Sequence, residues 1–457
     1  MATGVSKSKW NGVIEEQAAG HGPSLDVTLT YEGKAPPGRI LATEPAQTRL
    51  LWQSNPKDPN RLYYGDNLPI LAALRQDPEI CGQVRLIYID PPFATRSVFQ
   101  SRSQQDAYSD LLSGAPYLDF MRKRLILLRE LLARDGSIYL HLDLNMAFHL
   151  KVIMDEIFGP DNFRNWITRK KCNPKNYTRK TYGNISDFIL FYTKSNDYVW
   201  HRAYEAWTPA RAQKEYQYVE AETGRRYKKV PLHAPGTRNG ETGKPWRGMP
   251  PPPGKHWQFP PKTLEEMDAR GEIYWSPTGN PRRKIYLDES SGVPIQDIWM
   301  ELKDAHNQNI KISGYPTEKN PDLLVRIIEA SSNPGDIVLD CFAGSGTTLD
   351  VASQLGRKWI GIDNSSEAIA ACLNRFGQGL EPMGDFTQKR QPASQKAQPM
   401  LPRLDSQGRP LLTDFSLYAT HNYEGELDLA LEKWEGWQGQ EHVEVASGNN
   451  TTTDSTL

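Results

Sequence analysis

The stretch GDIVLDCFAGSGTTLDVASQLG (335–356) decides the fold. It opens as a short apolar run, passes through a glycine-rich turn and ends as a helix. RKWIGID (357–363) then reads as a second strand and SSEAIAACLNRF (365–376) as a second helix. Strand, turn, helix and strand in this order build a parallel sheet with helices over its faces. Gly344 and Gly346 let the backbone approach a ligand closely, and the start of the helix offers unpaired N–H groups. A phosphate-binding loop needs Gly-Lys-Ser/Thr, but Thr347 follows Gly346 with no lysine. A dinucleotide fingerprint needs a third glycine, which Thr347-Thr348-Leu349 does not supply. The turn is therefore a plain strand-to-helix connection or a site for a ligand without phosphate. Asp363 closes the next strand 23 residues after Asp340, where an acidic side chain meets a ribose diol in doubly wound nucleoside sites.

The same alternation runs through the first half of the chain. RLYY (61–64), VRLIYID (84–90), SIYLHLD (137–143) and DFILFYTK (187–194) read as strands, several of them continuous apolar runs suited to burial on both faces. Helices are expected over 65–76, 117–136 and 146–157, and again over 320–332 just before the glycine turn. At roughly 100–200 residues per domain, 457 residues divide into two to four units. The expected organisation is a polar N-terminal extension (1–60), two halves of an α/β domain (61–195 and 310–380), an insert between them (196–309), and a linker with an acidic C-terminal tail (381–457). Lys and Arg number 54 against 55 Asp and Glu, which excludes a histone-like polycation. Cys81, Cys172, Cys341 and Cys372 form no C-x-x-C pair and no zinc-type spacing, so no metal is expected and a reduced compartment fits best. The N-terminus lacks an apolar signal core and no run of about 18 apolar residues occurs, so a cytoplasmic location without membrane contact is expected.

A second motif, Asp90-Pro91-Pro92-Phe93, ends a buried strand. Two prolines stiffen the turn and remove N–H donors, leaving carbonyl acceptors. Asp90 adds a carboxylate and Phe93 an aromatic face. This set suits an amino group on a flat ring, with two acceptors for two N–H bonds and a surface for stacking; a stiffened turn closing a strand is the plainer reading.

Together IYIDPPF (87–93) and, much later, VLDCFAGSGTT (338–348) resemble the amino-group DNA methyltransferases, which methylate adenine N6 or cytosine N4. The order of the two motifs is similar to the circularly permuted β-class, shared with the modification subunits of type III restriction systems. Gly65-Asp66-Asn67-Leu68, TEKNPDLL (317–324) and GRKWIGID (356–363) resemble further family segments. The likeness covers about 60–195 and 310–376. It implies a Rossmann-like, doubly wound S-adenosylmethionine-dependent fold with an inserted DNA-recognition region. It assigns catalysis to Asp90, Pro91, Pro92 and Phe93. It assigns cofactor binding to Asp66, Asn67, Lys319, Asp340, Phe342, Gly344, Gly346, Thr347 and Asp363. Asp363 stands where the family often has Glu, Lys319-Asn320-Pro321 where it often has Lys-Pro, and Phe93 where Tyr is commoner; no needed group is lost. Asp90 rather than Ser tilts the implied substrate toward adenine N6, with cytosine N4 as the alternative and a catalytically decayed DNA-binding module as a second. RNA and protein-glutamine methyltransferases usually show Asn-Pro-Pro-Tyr and the unpermuted order.

The implied partner is double-stranded DNA; a homodimer and a restriction endonuclease subunit are compatible with the resemblance. Residues 164–255 hold 19 Lys and Arg against 7 Asp and Glu, which points to a polyanion-facing surface over a solvated face. Arg169, Lys170, Lys171, Arg225, Arg226, Lys228 and Lys229 are the candidate DNA contacts. Cys341 reads as a small half-buried strand residue; no cysteine follows a proline, as cytosine C5 chemistry would require. His141 and Asp143 read as strand-end packing or turn formation, with a place in the pocket as the sharper alternative.

Overall fold

The computed structural model describes residues 27–57, 59–92, 114–174, 180–304, 319–378, 412 and 414–438. These form two compact units, one from Arg202–Gln296 and one from the chain on both sides of it.

The larger unit is built on a ten-stranded sheet. Its strands in chain order are β1 (Thr48–Gln53), β2 (Asn60–Tyr64), β3 (Val84–Ile89), β4 (Leu132–Leu142), β5 (Phe163–Lys170), β6 (Ser186–Thr193), β7 (Ile298–Trp299), β8 (Ile337–Asp340), β9 (Lys358–Asp363) and β10 (Phe415–Thr420). They lie in the order β1-β10-β2-β9-β8-β3-β4-β6-β5-β7. From β10 to β4 every neighbouring pair is parallel, and β6 runs antiparallel to both β4 and β5. The apolar runs take the buried centre: Leu86, Ile87, Tyr88 and Ile89 of β3 are all at most 1% exposed. The helices are α1 (Pro37–Leu41), α2 (Asn67–Leu74), α3 (Ala115–Leu131), α4 (Leu144–Phe158), α5 (Pro321–Ser331), α6 (Thr347–Gln354), α7 (Ser366–Gln378) and α8 (Asp428–Gln438). Met121, Leu125, Leu128 and Leu131 of α3 point into the core at helical spacing. Asp143 accepts from Asn145 N and caps α4, which settles its role as turn formation. Asn320 caps α5 in the same way, with Pro321 in the first turn.

β8 comes late in the chain yet lies between β9 and β3. That placement puts the ends of β3, β8, β9 and β2 side by side on one edge, where ligands of open α/β sheets bind.

Residues 48–53 and 415–420, which fall within the stretches expected as extension and tail, are strands of the sheet. β1 pairs antiparallel with β10, and β10 lies parallel to β2. Trp434 of α8 is fully buried, with its ring 5.3 Å from Trp52 and 5.4 Å from Phe415. Leu29 N and Lys34 Nζ both bond to Glu156 of α4. Buried Asn60 joins this edge to the sheet, donating to Asp414 O and accepting from Trp359 N. The acidic composition around α8 masks two core residues, Leu427 and Trp434, spaced two helical turns apart.

The smaller unit holds a four-stranded antiparallel sheet, ordered Ile273–Trp275, Pro281–Tyr286, Arg226–Pro231, Tyr218–Val219. Its core gathers Leu232, Trp246, Trp257, Leu264, Met267 and Ile273. The unit is narrower than the insert expected at 196–309. β7 returns to the large sheet beside β5, so the residues after Gln296 belong there. Among the described residues no helix is long and apolar enough to cross a membrane.

Candidate active site

The glycine turn after β8 is held from three sides. Asp340 is buried; its carboxylate accepts from Phe342 N at 3.0 Å and from the Thr348 hydroxyl at 2.6 Å. Burial pushes its pKa up to about 7, and the charges of Asp90 and Asp363 add to the rise. Gly344 N donates to Asp363 Oδ2 at 2.8 Å, tying the turn to the end of β9. Burial likewise raises the Asp363 carboxyl above its ordinary value. From α7, the buried Arg375 guanidinium donates to Ser345 O at 2.6 Å, and Cys372 Sγ reaches Gly344 O at 3.2 Å. Gly344 and Gly346 have φ of +51° and +74°. A Cβ at Gly346 would lie 2.9 Å from Cys372 Sγ, so packing below the turn demands this glycine as much as any ligand above it. Thr347 is buried at the start of α6, and Phe342 packs half-buried against Phe120.

The turn after β2 belongs to the same edge. Gly65 N donates to Asp363 O at 2.9 Å. Asp66 caps α2, receives Arg124 Nη2 at 2.8 Å and stays largely exposed. Asn67 is not presented to a ligand: its Nδ2 donates to Cys341 O at 2.6 Å, and Arg124 Nε donates to its Oδ1. Cys341 is fully buried rather than half-buried, and burial pushes its thiol pKa far up. A cleft of about 520 Å3 opens here, lined by Tyr64, Gly65, Asp66, Asn364, Thr420 and Tyr423 among others. Thr420, His421, Asn422, Tyr423 and Glu426 form one wall of it.

Asp90 follows β3, with Pro91 buried and Pro92 half-buried after it; Phe93 lies outside the described residues. Lys319 Nζ stands 2.9 Å from Asp90 Oδ2, so the lysine expected on the cofactor meets the carboxylate expected to be catalytic. His141 Nδ1 lies 3.8 Å from Asp90 Oδ1 and within 2.8 Å of the Tyr88 hydroxyl. His141 Nε2 lies 3.0 Å from Asp187 Oδ2, and Arg169 Nε is 3.2 Å from Asp187 Oδ1. Arg169 also pairs with Asp304. This removes Arg169 from the candidate DNA contacts, because its guanidinium is fully buried between two carboxylates. Lys170 and Lys171 are half-buried beside it.

In the smaller unit the basic cluster is largely matched from within. Arg225 pairs with Asp288 and Glu289, and Lys228 with Glu215. Lys229 Nζ lies 3.6 Å and 3.4 Å from the centroids of Tyr218 and Tyr274. Arg226 donates to Tyr216 O. Residues 202–296 hold 16 Lys and Arg against 11 Asp and Glu, a smaller surplus than the 164–255 window suggests.

Sequence reasoning missed Arg124, Arg375 and the pairing of Lys319 with Asp90. The two arginines had a signal, a cation set at helical spacing among apolar residues: Arg124 between Met121 and Leu128, and Arg375 after Ala368 and Cys372.

The sequence family described as DNA methylase matches residues 84–374. The type II methyltransferase M.EcaI of Enterobacter cloacae is 44% identical over 398 residues, 84% of this chain and 87% of that protein. The Mod subunit of the type III restriction-modification enzyme StyLTI of Salmonella typhimurium is 28% identical over 341 residues, 66% of this chain and 51% of that subunit. Among solved structures, the M1.HpyAVI–SAM complex aligns with a TM-score of 0.36 at 17% identity, covering 69% of this chain and 98% of that one. With its two motifs brought to one sheet edge and a family match across most of its length, the chain belongs to the DNA methylase family of amino-group (N6/N4) methyltransferases.

Proposed function

We propose that the chain transfers a methyl group from S-adenosylmethionine to the exocyclic N6 of an adenine flipped out of double-stranded DNA. The observation that carries this reading is Asp90: a carboxylate at the carboxyl end of β3, held by Lys319, with β8 and its glycine turn alongside.

The residues present fit the cofactor. Asp363 offers a half-buried carboxylate for a ribose diol, the two left-handed glycines keep side chains out of the turn, and the cleft at Tyr64, Asp66 and Asn364 adjoins the end of β9. Asp66, Phe342, Gly344, Gly346 and Asp363 would hold it; Asp340, Asn67 and Thr347 shape the turn from below. The cofactor supplies an electrophilic sulfonium methyl. The N6 lone pair is conjugated into the purine ring, so the amine is a weak nucleophile. N–H bonds to the Asp90 carboxylate and the Pro91 carbonyl free that lone pair, and positioning with electrostatics does the rest. Flipping the base costs a few kcal/mol; stacking on Phe93 recovers roughly 1–3 kcal/mol of it. The smaller unit is the proposed reader of sequence, with phosphate contacts for grip and base-edge contacts for choice.

Methylation-sensitive sequencing and nucleoside analysis of DNA from cells expressing the protein test this reading. N6-methyladenine in one fixed sequence context is the expected result. N4-methylcytosine there instead would give the substrate to cytosine.

A further inference from the structure

Methyl transfer to N6 leaves a nitrogen with both original protons and a positive charge, and one proton must go. Asp90 is the nearest acceptor in the reading above. Asp90 must lose that proton again before the next turnover, and Lys319 Nζ stands 2.9 Å from its Oδ2. Behind Asp90 stands His141, fully buried.

Several groups face that imidazole. Tyr88 and Asp90 come from β3 and its end, and Asp187 from β6. Arg169 of β5 and Asp304 stand behind Asp187, and Lys319 lies across Asp90. Burial pushes the Asp187 carboxyl up, but His141, Arg169 and Lys319 more than offset this and hold it far below the usual range. An ionised carboxylate 3.0 Å from Nε2 favours the proton on that nitrogen. Nδ1 then presents its lone pair toward Tyr88 and Asp90. The charges of Asp304, Arg169, Asp187, Asp90 and Lys319 sum to −1, so an imidazolium at His141 would make the set neutral. Tyr88 accommodates either state: its hydroxyl donates to bare Nδ1 and accepts from protonated Nδ1. Burial and the charge of Asp90 push its phenol well up, so it keeps its own proton.

We propose that His141, oriented by Asp187 and Arg169, takes the product proton from Asp90 and so resets the catalytic carboxylate. The proposal rests on the reading of methyl transfer to adenine N6. As the N6–carbon bond forms and the sulfur–carbon bond breaks, one N6 proton passes to Asp90 Oδ1. It then passes to His141 Nδ1, while the Nε2 proton stays facing Asp187. The imidazolium gives a proton to water as product leaves. The 3.8 Å between Oδ1 and Nδ1 must close by about 1 Å, an ordinary tightening from a ligand-free geometry. His141 and Asp187 are positioning and relay residues; neither touches the base.

Imidazole 15N NMR of the wild-type protein without ligands is the first arm. The expected state at neutral pH is the Nε2–H tautomer, with protonation shifted to lower pH in Asp187→Asn. A wild-type Nδ1–H tautomer has no lone pair facing Asp90 and overturns the relay without any variant. The second arm is single-turnover methyl transfer against pH, with cofactor affinity measured separately by calorimetry. Wild type should lose rate below the imidazole pKa. His141→Gln should lose that acid limb and slow by roughly 100-fold, the low end for general acid–base catalysis, with cofactor affinity unchanged. A His141→Gln profile that keeps the wild-type acid limb refutes the relay and leaves adenine methylation standing. A wild-type protein that makes no N6-methyladenine refutes the parent reading, and the relay falls with it.

Discussion

Asp340 shows how one residue can be legible in place and illegible in role. The apolar run before the glycine turn marks it, and the family resemblance gives it to the cofactor. Its side chain instead faces inward, to Phe342 N and Thr348. Its pKa is raised from an ordinary 3.8 to about 7, so its contribution to stability is fully present below 3.8 and is lost as pH rises through about 7. Asp340→Asn cannot ionise. Melting temperatures from about pH 4 to about pH 8 should show wild type falling relative to the variant as pH rises; parallel curves would contradict the assignment. Asp90, Asp363, Gly344 and Gly346 were readable because each ends an apolar run or breaks a helix start. The ion pairs were not: Lys319 and Asp90 are far apart in sequence, and Arg169 looked like part of a basic run until β6 brought Asp187 beside it.

At the scale of elements, the parallel strands were legible and the sheet's outer edge was not. VRLIYID and RKWIGID have uncharged apolar centres, LIYI (86–89) and WIGI (359–362), which a doubly buried strand requires. FSLYAT (415–420) matches them in length, but Ser416 and Thr420 interrupt its apolar residues, and it follows a Gln- and Pro-rich stretch and precedes an acidic one. Only its pairing with β2 and β1 reveals it as β10. Trp434 locks this edge against Trp52 and Phe415. Trp434→Ala should cost about 3–5 kcal/mol in denaturant unfolding, the range for deleting a buried large aromatic. Because Thr420, His421, Asn422, Tyr423 and Glu426 wall the cleft beside Asp66, the same variant should also weaken the cofactor. A variant of unchanged stability would mean that the C-terminal segment does not support the sheet.

Across the whole molecule, the chain divides its chemistry between distant stretches. β3 brings Asp90, and β8 and β9 bring the turn and Asp363 from some 250 residues later. The sheet order sets them side by side, with β8 next to β3. The insert's function was read from net charge, a property that pairing conceals: Arg225, Lys228 and Arg247 of the smaller unit face acidic partners within it. In the proposed function the substrate amine and the cofactor depend on different parts of the chain that share one edge. Asp90→Ala tests that division most directly, with methyl transfer to DNA followed by isotope and cofactor binding by calorimetry. The account predicts that transfer is abolished while cofactor affinity stays within about tenfold, or roughly 1.4 kcal/mol. Full transfer activity in the folded variant would contradict it.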